Sequence, residues 1–149
     1  MSKADFETLA WFRYQLRRFL RFSEEVTRLN GVTPLQYQLM LQIKGFPGRE
    51  WASVVELAER LQAKHHGVVA LVSRCEEAGL VRRNVGRSDH RRVEVQLTQR
   101  GEQCLEQLAR LHRDELQSAK GGFAVPVVSV TKRNSRSRKE NMNESRTLS

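Results

Sequence analysis

Apolar side chains return along the N-terminal part of the chain at Leu9, Phe12, Leu16, Phe19, Phe22 and Val26, the three- and four-residue steps of one helix face. The spacing predicts a long amphipathic helix over residues 5–29, and Trp11 and Tyr14 widen its apolar surface beyond a single stripe. Asn30-Gly31 stops it. Thr33-Pro34-Leu35-Gln36 then restarts a helix, because threonine can cap, proline suits the first helical position and the glutamine completes a capping box. Leu39, Met40 and Ile43 carry this second helix to Gly45.

Residues 45–50 (GFPGRE) read as a loop, and Ser53-Val54-Val55-Glu56 is a second capping box that opens a short helix through Leu61. After the turn Gln62-Ala63-Lys64, Val68, Leu71, Val72 and Cys75 stand at i, i+3, i+4 and i+7, a stripe buried on one side of a further helix that ends at Ala78-Gly79. The period then changes from helical to alternating. Residues 80–85 read as a strand, Gly86-Arg87-Ser88-Asp89-His90 as a turn, and Val93, Val95 and Leu97 alternate with Arg92, Glu94 and Gln96 as a half-buried second strand. Thr98 caps a last helix to about Ala119, with Cys104, Leu105, Leu108, Leu111 and Leu116 on a broad apolar side. Gly121-Gly122 breaks it; residues 123–130 (FAVPVVSV) are β-prone but interrupted by Pro126, and residues 131–149 are polar with the composition of a disordered tail.

Composition bounds the function classes. A chain of 149 residues with 39% hydrophobic content suits one soluble domain with polar appendages. No apolar run approaches the ~20 residues of a membrane span, and Asp5, Glu7 and Arg13 come too early for a signal peptide. A cytoplasmic protein with no membrane partner is expected. Lysine and arginine total 26 against 17 acidic residues, a net charge of +9 that favours a polyanionic partner. Seven of those basic residues and two of the acidic ones lie from Lys120 onward, so the body carries only +4 and its case for DNA must rest on local pattern. The tail itself reads as an inert terminus more readily than as a basic arm, since charged ends are usually solvated.

Two short helices joined by a tight turn form a helix-turn-helix arrangement, whose second helix would turn His65, His66, Gly67, Val69, Ala70, Ser73 and Arg74 outward. Small residues there permit close approach to a groove floor. Lys64, His65 and His66 gather at the N-terminal end, where the helix dipole also attracts phosphate. An ordinary solvated helix in a bundle explains that segment equally well, and the hairpin directly after it decides the matter. Arginine in a narrow minor groove gains from the enhanced negative potential, and Asp89 is positioned to orient Arg91, with Arg87 at the tip. A solvated turn carrying a weak surface ion pair is the competing reading.

Other chemistry finds little support. Cys75 and Cys104 are too few for a disulfide scaffold, and His65, His66, His90 and His112 lack paired metal-ligand spacing, so neither metal nor cofactor is expected. Cys75 has no evident activating neighbour and Cys104 has Arg100 one turn away, which leaves a redox role open for either. Ser88-Asp89-His90 contains the residue types of a hydrolase triad, but contiguous turn residues cannot build the relay, and no phosphate loop is present. An enzyme is not expected.

Thr33-Pro34, Glu56-Leu57-Ala58, Gly79-Leu80-Val81 and above all Asp89-x-Arg91-x-x-x-Val95-x-Leu97-Thr98-x-x-Gly101 resemble the MarR family of winged helix-turn-helix regulators over about residues 5–118. The fold class that follows is mainly α with a small β-hairpin: a winged helix-turn-helix domain over residues 1–119, its DNA-binding core at 33–97, flanked by N- and C-terminal dimerisation helices at 5–29 and 98–119. Residues 120–149 form the tail, where a typical member would continue helically. The resemblance implies a bacterial homodimer bound to double-stranded DNA, each recognition helix in a major groove and each wing in a minor groove, on a near-palindrome with half-sites ~34 Å apart. By position, His66, Gly67, Val69 and Ala70 would read bases, Lys64 and Arg74 would meet phosphate, and Arg91 and Arg87 would serve the wing. Gly67 departs from the hydroxyl residue that the family often carries nearby. Many members respond to a small aromatic ligand, and Trp11, Tyr14, Tyr37 and Trp51 are candidates to line such a pocket, although core packing explains aromatics at helical spacing as well. The function implied is a repressor released or modulated by a small-molecule effector. The alternative is a winged-helix protein-interaction module whose tail makes only nonspecific nucleic-acid contact.

Overall fold

The computed structural model describes residues 1–86, 91–118 and 126–128. Its elements run α1 (Lys3–Leu29), α2 (Pro34–Lys44), β1 (Trp51–Ala52), α3 (Val54–Leu61), α4 (His65–Glu77), β2 (Val81–Val85), β3 (Val93–Leu97) and α5 (Gln99–Ser118). The helices form where the apolar spacing predicted them. At its start α1 is longer than the periodicity suggested, because Ser2 Oγ accepts from the Asp5 amide at 3.2 Å while Asp5 Oδ2 accepts from the Ser2 amide at 2.8 Å. That reciprocal cap satisfies two first-turn donors and moves the start to Lys3.

The capping boxes at Thr33/Gln36 and Ser53/Glu56 are both formed and set the starts of α2 and α3. Between α3 and α4 the chain reverses at Gln62, which adopts the left-handed conformation with φ of 50°. Its side chain donates to the Glu59 carbonyl at 2.7 Å and closes the end of α3.

The hairpin is part of a three-stranded antiparallel sheet in the order β1-β3-β2. Residues 45–50 are irregular as expected, but Trp51 and Ala52 then pair with Gln96 and Val95 along the other edge of β3. A strand of two residues is too short to alternate, so its pairing is invisible to periodicity and depends on the edge that β3 offers. The register of β2 on β3, from Val81↔Leu97 to Val85↔Val93, turns Val81, Val95 and Leu97 to the inside. There they meet Leu39, Met40 and Ile43 of α2, Leu57 of α3, the α4 stripe Val68, Leu71, Val72 and Cys75, and Leu105 and Leu108 of α5.

The start of α5 is fastened to the end of the helix-turn-helix. Thr98 Oγ1 donates to the Gly79 carbonyl at 2.6 Å and accepts from the Gly101 amide at 3.0 Å, and the Thr98 amide donates to the Leu80 carbonyl at 3.0 Å. Gly101 lies so close to Leu80 that a β-carbon would overlap its backbone carbonyl. The Thr-x-x-Gly signature is thus a cap and a close approach in one. At the other end of α5, His112 is buried between α1 and α2, stacked on Tyr37 with 4.2 Å between ring centroids. The Leu108 carbonyl can only accept, so His112 Nδ1 donates to it at 2.7 Å, and Nε2 is hydrogen-bonded with the Ser23 hydroxyl at 2.8 Å.

Candidate nucleic-acid interface

With Val68, Leu71, Val72 and Cys75 committed to the core, α4 has one side left over, and the helical period puts His65, His66, Gly67, Val69, Ala70 and Arg74 on exposed positions of it. Its first turn holds no acidic residue, and Lys64, at the N-cap, makes no side-chain cap. The first-turn amides therefore point outward beside three basic or titratable side chains, the arrangement that receives an anion. Open space surrounds Gly67: a β-carbon there would meet nothing within 4 Å.

Ser73 stands apart from this set. It is half-buried, its hydroxyl donates to the Val69 carbonyl at 3.1 Å, and it accepts from Arg83 Nη2 at 2.9 Å. Arg83 on β2 was not singled out by periodicity or motif. A charged residue at an inward-facing strand position, opposite Val95, was the signal that it has a structural partner.

At the wing, the Gly86 amide donates to the Arg92 carbonyl at 2.7 Å and closes the base of the hairpin. Arg91 is exposed just beyond. Arg87 and Asp89 lie outside the described residues, and with them the expected Asp89–Arg91 pair. Arg92 turns back to the sheet: it pairs with Glu94 at 3.1 Å and lies 4.4 Å from the centroid of the Trp51 ring. Arg49 approaches the same indole at 3.7 Å and pairs with Glu56 at the start of α3. The indole thereby ties the β1 edge to the wing base through two guanidinium contacts.

The four aromatics proposed for a ligand pocket are spread over three places. Trp11 and Tyr14 lie next to each other on α1, 58% and 52% exposed. Tyr37 is buried against His112, and the desolvation raises its pKa, while Trp51 belongs to the arginine stack. An open concavity of about 620 Å³ lies elsewhere, where the end of α1 meets the start of α2, lined by Glu24, Arg28, Val32, Thr33 and Gln36 among others.

Burial pushes the Cys75 thiol up to about 11, only partly opposed by the charge of Arg74, and it raises Cys104 as well against the charge of Arg100. Both shifts disfavour the thiolate that redox sensing uses. Among the described residues no group of three or more histidine, cysteine or acidic side chains could hold a metal ion, and no helix is long and apolar enough to cross a membrane.

Comparison with known proteins agrees with this geometry. Residues 30–92 match the model of the MarR family. The chain is 31% identical over 93 residues to a candidate transcriptional regulatory protein for the hcr operon of Thauera aromatica, covering 62% of the chain and 54% of that relative, so it spans about half the relative's length. Among solved structures, a MarR family protein from Bacillus stearothermophilus superposes with a TM-score of 0.70 at 21% identity, over 83% of this chain and 85% of that one. A mutant of S. aureus MepR bound to an oligodeoxyribonucleotide gives 0.62 at 19% identity, over 72% and 78%. At such identities the two structures speak to the fold, a winged helix with flanking helices.

Proposed function

We propose that the chain, whose residues 30–92 match the MarR family model, is a regulator of that family: a homodimer that represses transcription by covering a near-palindromic operator and is modulated by a small-molecule effector. The observation that carries the DNA reading is the outer side of α4, an acid-free first turn with Lys64, His65 and His66 followed by the small residues Gly67 and Ala70, flanked by the exposed Arg91 of the wing. Such a surface fits a groove floor between two phosphate rows. His66, Gly67, Val69 and Ala70 are assigned to base edges, Lys64 and Arg74 to phosphate, and Arg91 to the adjacent minor groove. Arg87 and Asp89 are assigned to the wing tip. The MepR mutant with its bound oligodeoxyribonucleotide supports the same use of this fold.

The dimer reading is supported by α1, whose N-terminal half leaves Phe6, Trp11 and Tyr14 more than half exposed. Two recognition helices on one face of a duplex must match grooves ~34 Å apart, so an effector that alters their separation releases both half-sites together.

The test is selection of duplexes from a randomised pool by the full chain, followed by fluorescence-anisotropy titration of the selected and scrambled duplexes at several salt concentrations. Two inverted half-sites about one helical turn apart are expected. Arg91→Ala weakens the selected duplex by ~1–3 kcal/mol, whereas Arg74→Ala weakens all duplexes evenly and flattens the salt slope. A pool that remains random after selection overturns the reading in favour of a protein-interaction module.

A further inference from the structure

Arg83 sits on the sheet face that packs against α4, and its polar atoms are used in one direction. The backbone amide donates to Glu76 Oε2 at 3.1 Å, Nη1 donates to Glu76 Oε1 at 3.0 Å, and Nη2 donates to Ser73 Oγ at 2.9 Å and reaches the Val69 carbonyl at 3.4 Å. Glu76 thus receives both the main chain and the side chain of one residue, while Val69, Ser73 and Glu76 lie along successive turns of α4. As an isolated surface ion pair this contact would be worth little, because the Arg83 and Glu76 side chains are 30% and 42% exposed. What distinguishes it is geometry: a planar guanidinium fork joins two turns of the helix to the wing strand in a defined orientation.

We propose that Arg83 is a positioning residue that, with Glu76 and Ser73, clamps the recognition helix to the wing, so that DNA meets helix and hairpin as one rigid unit. The inference rests on the DNA-binding reading above and assigns specificity to a residue that need not touch a base. It also gives Ser73 a role inside the protein, because its hydroxyl already donates to Val69 and accepts from Arg83.

Charge alone makes the opposite prediction for Glu76, which tests the clamp by sign. Removing an acid beside a DNA-binding face strengthens binding to every duplex if only the field matters. If Glu76 holds Arg83, Glu76→Ala instead lowers the ratio of selected to scrambled affinity on the order of tenfold, the size of coupling energies between contacting residues. Arg83→Lys keeps the charge but loses the fork, so it lowers the same ratio while leaving the salt slope unchanged.

The experiment titrates full-length wild type, Glu76→Ala and Arg83→Lys with the selected and scrambled duplexes across salt, beside thermal melting and amide hydrogen exchange without DNA. The clamp is supported by lost discrimination in both variants with unchanged salt slopes, melting close to wild type, and faster exchange of the residue-83 amide in Glu76→Ala. It is overturned if Glu76→Ala tightens both duplexes, if Arg83→Lys binds as wild type, or if the residue-83 amide exchanges at the same rate. Wild type that fails to discriminate between the duplexes sinks the DNA reading instead, while the exchange rates still report whether Glu76 holds Arg83.

Discussion

Glycine serves opposite purposes at two positions. At Gly101 a β-carbon would overlap the Leu80 carbonyl, which is backbone and cannot swing aside. Gly101→Ala therefore forces the start of α5 away from the Gly79-Leu80 turn and strips Thr98 of its paired hydrogen bonds, at a cost of ~3 kcal/mol of unfolding free energy, the upper end for overpacking a fitted site. Gly67 has no neighbour within 4 Å and lies inside a helix. Gly67→Ala should stabilise the protein by ~0.5–1 kcal/mol through helix propensity, yet its methyl group lies on the face assigned to the groove. Chemical denaturation read together with anisotropy separates the two effects: Gly101→Ala lowers the unfolding midpoint, whereas Gly67→Ala raises it and changes operator affinity. Equal midpoints for the two variants would contradict the packing described.

At the level of a single element, α4 divides its residues between the core and the exposed side assigned above to DNA. Its inner stripe ends in Cys75, fully buried, with its pKa pushed up to about 11 by desolvation. The charged form of this group is the thiolate, so the raised value means that the folded state favours the protonated thiol. The destabilisation is absent below the ordinary thiol range and grows as pH climbs toward about 11, because the unfolded chain ionises first. Melting temperature should therefore decline over that alkaline window, and less so in Cys75→Ala, whose own cavity lowers it uniformly. Native protein treated with a thiol reagent at neutral pH should be alkylated at Cys104 well before Cys75, as peptide mapping will show; rapid labelling of Cys75 would reopen its use as a redox sensor.

Across the molecule, the winged domain and the long helices meet around His112. Tyr37 of α2 stacks on its ring, Phe19 and Phe22 of α1 meet its edges, and Ser23 of α1 and Leu108 of α5 take its two nitrogens. A change in the angle between α1 and α5 cannot leave all these contacts in place, so in the proposed dimer this junction would link the spacing of two protomers to the pose of their recognition helices. Beyond it α1 extends toward Lys3, with Phe6, Trp11 and Tyr14 more than half exposed. In the proposed homodimer, Phe6→Glu with Trp11→Glu places charge on that side, and sedimentation velocity should show dimer giving way to monomer at micromolar concentration with the helical circular dichroism signal intact. Wild type that sediments as a monomer would remove the dimer from the proposal.

Local order was legible in short windows of the chain: helix starts at Thr33 and Ser53, the α4 stripe, and the alternation from Arg92 to Leu97 follow from hydrogen bonds and periods within a few residues. The Ser2-x-x-Asp5 box was equally legible, although apolar spacing alone began the helix too late. The exposed face of α4 followed from the stripe, because a helix that commits one side to a core must show the other. What those faces meet was settled by packing. Trp51 became an edge strand stacked by Arg49 and Arg92, Tyr37 became the partner of His112, and Ser73 was drawn from the outward set by Arg83, contacts made for the most part between residues distant in the chain. A period records which side of an element is apolar, whereas the identity of a partner depends on how elements pack, which no short window of sequence contains.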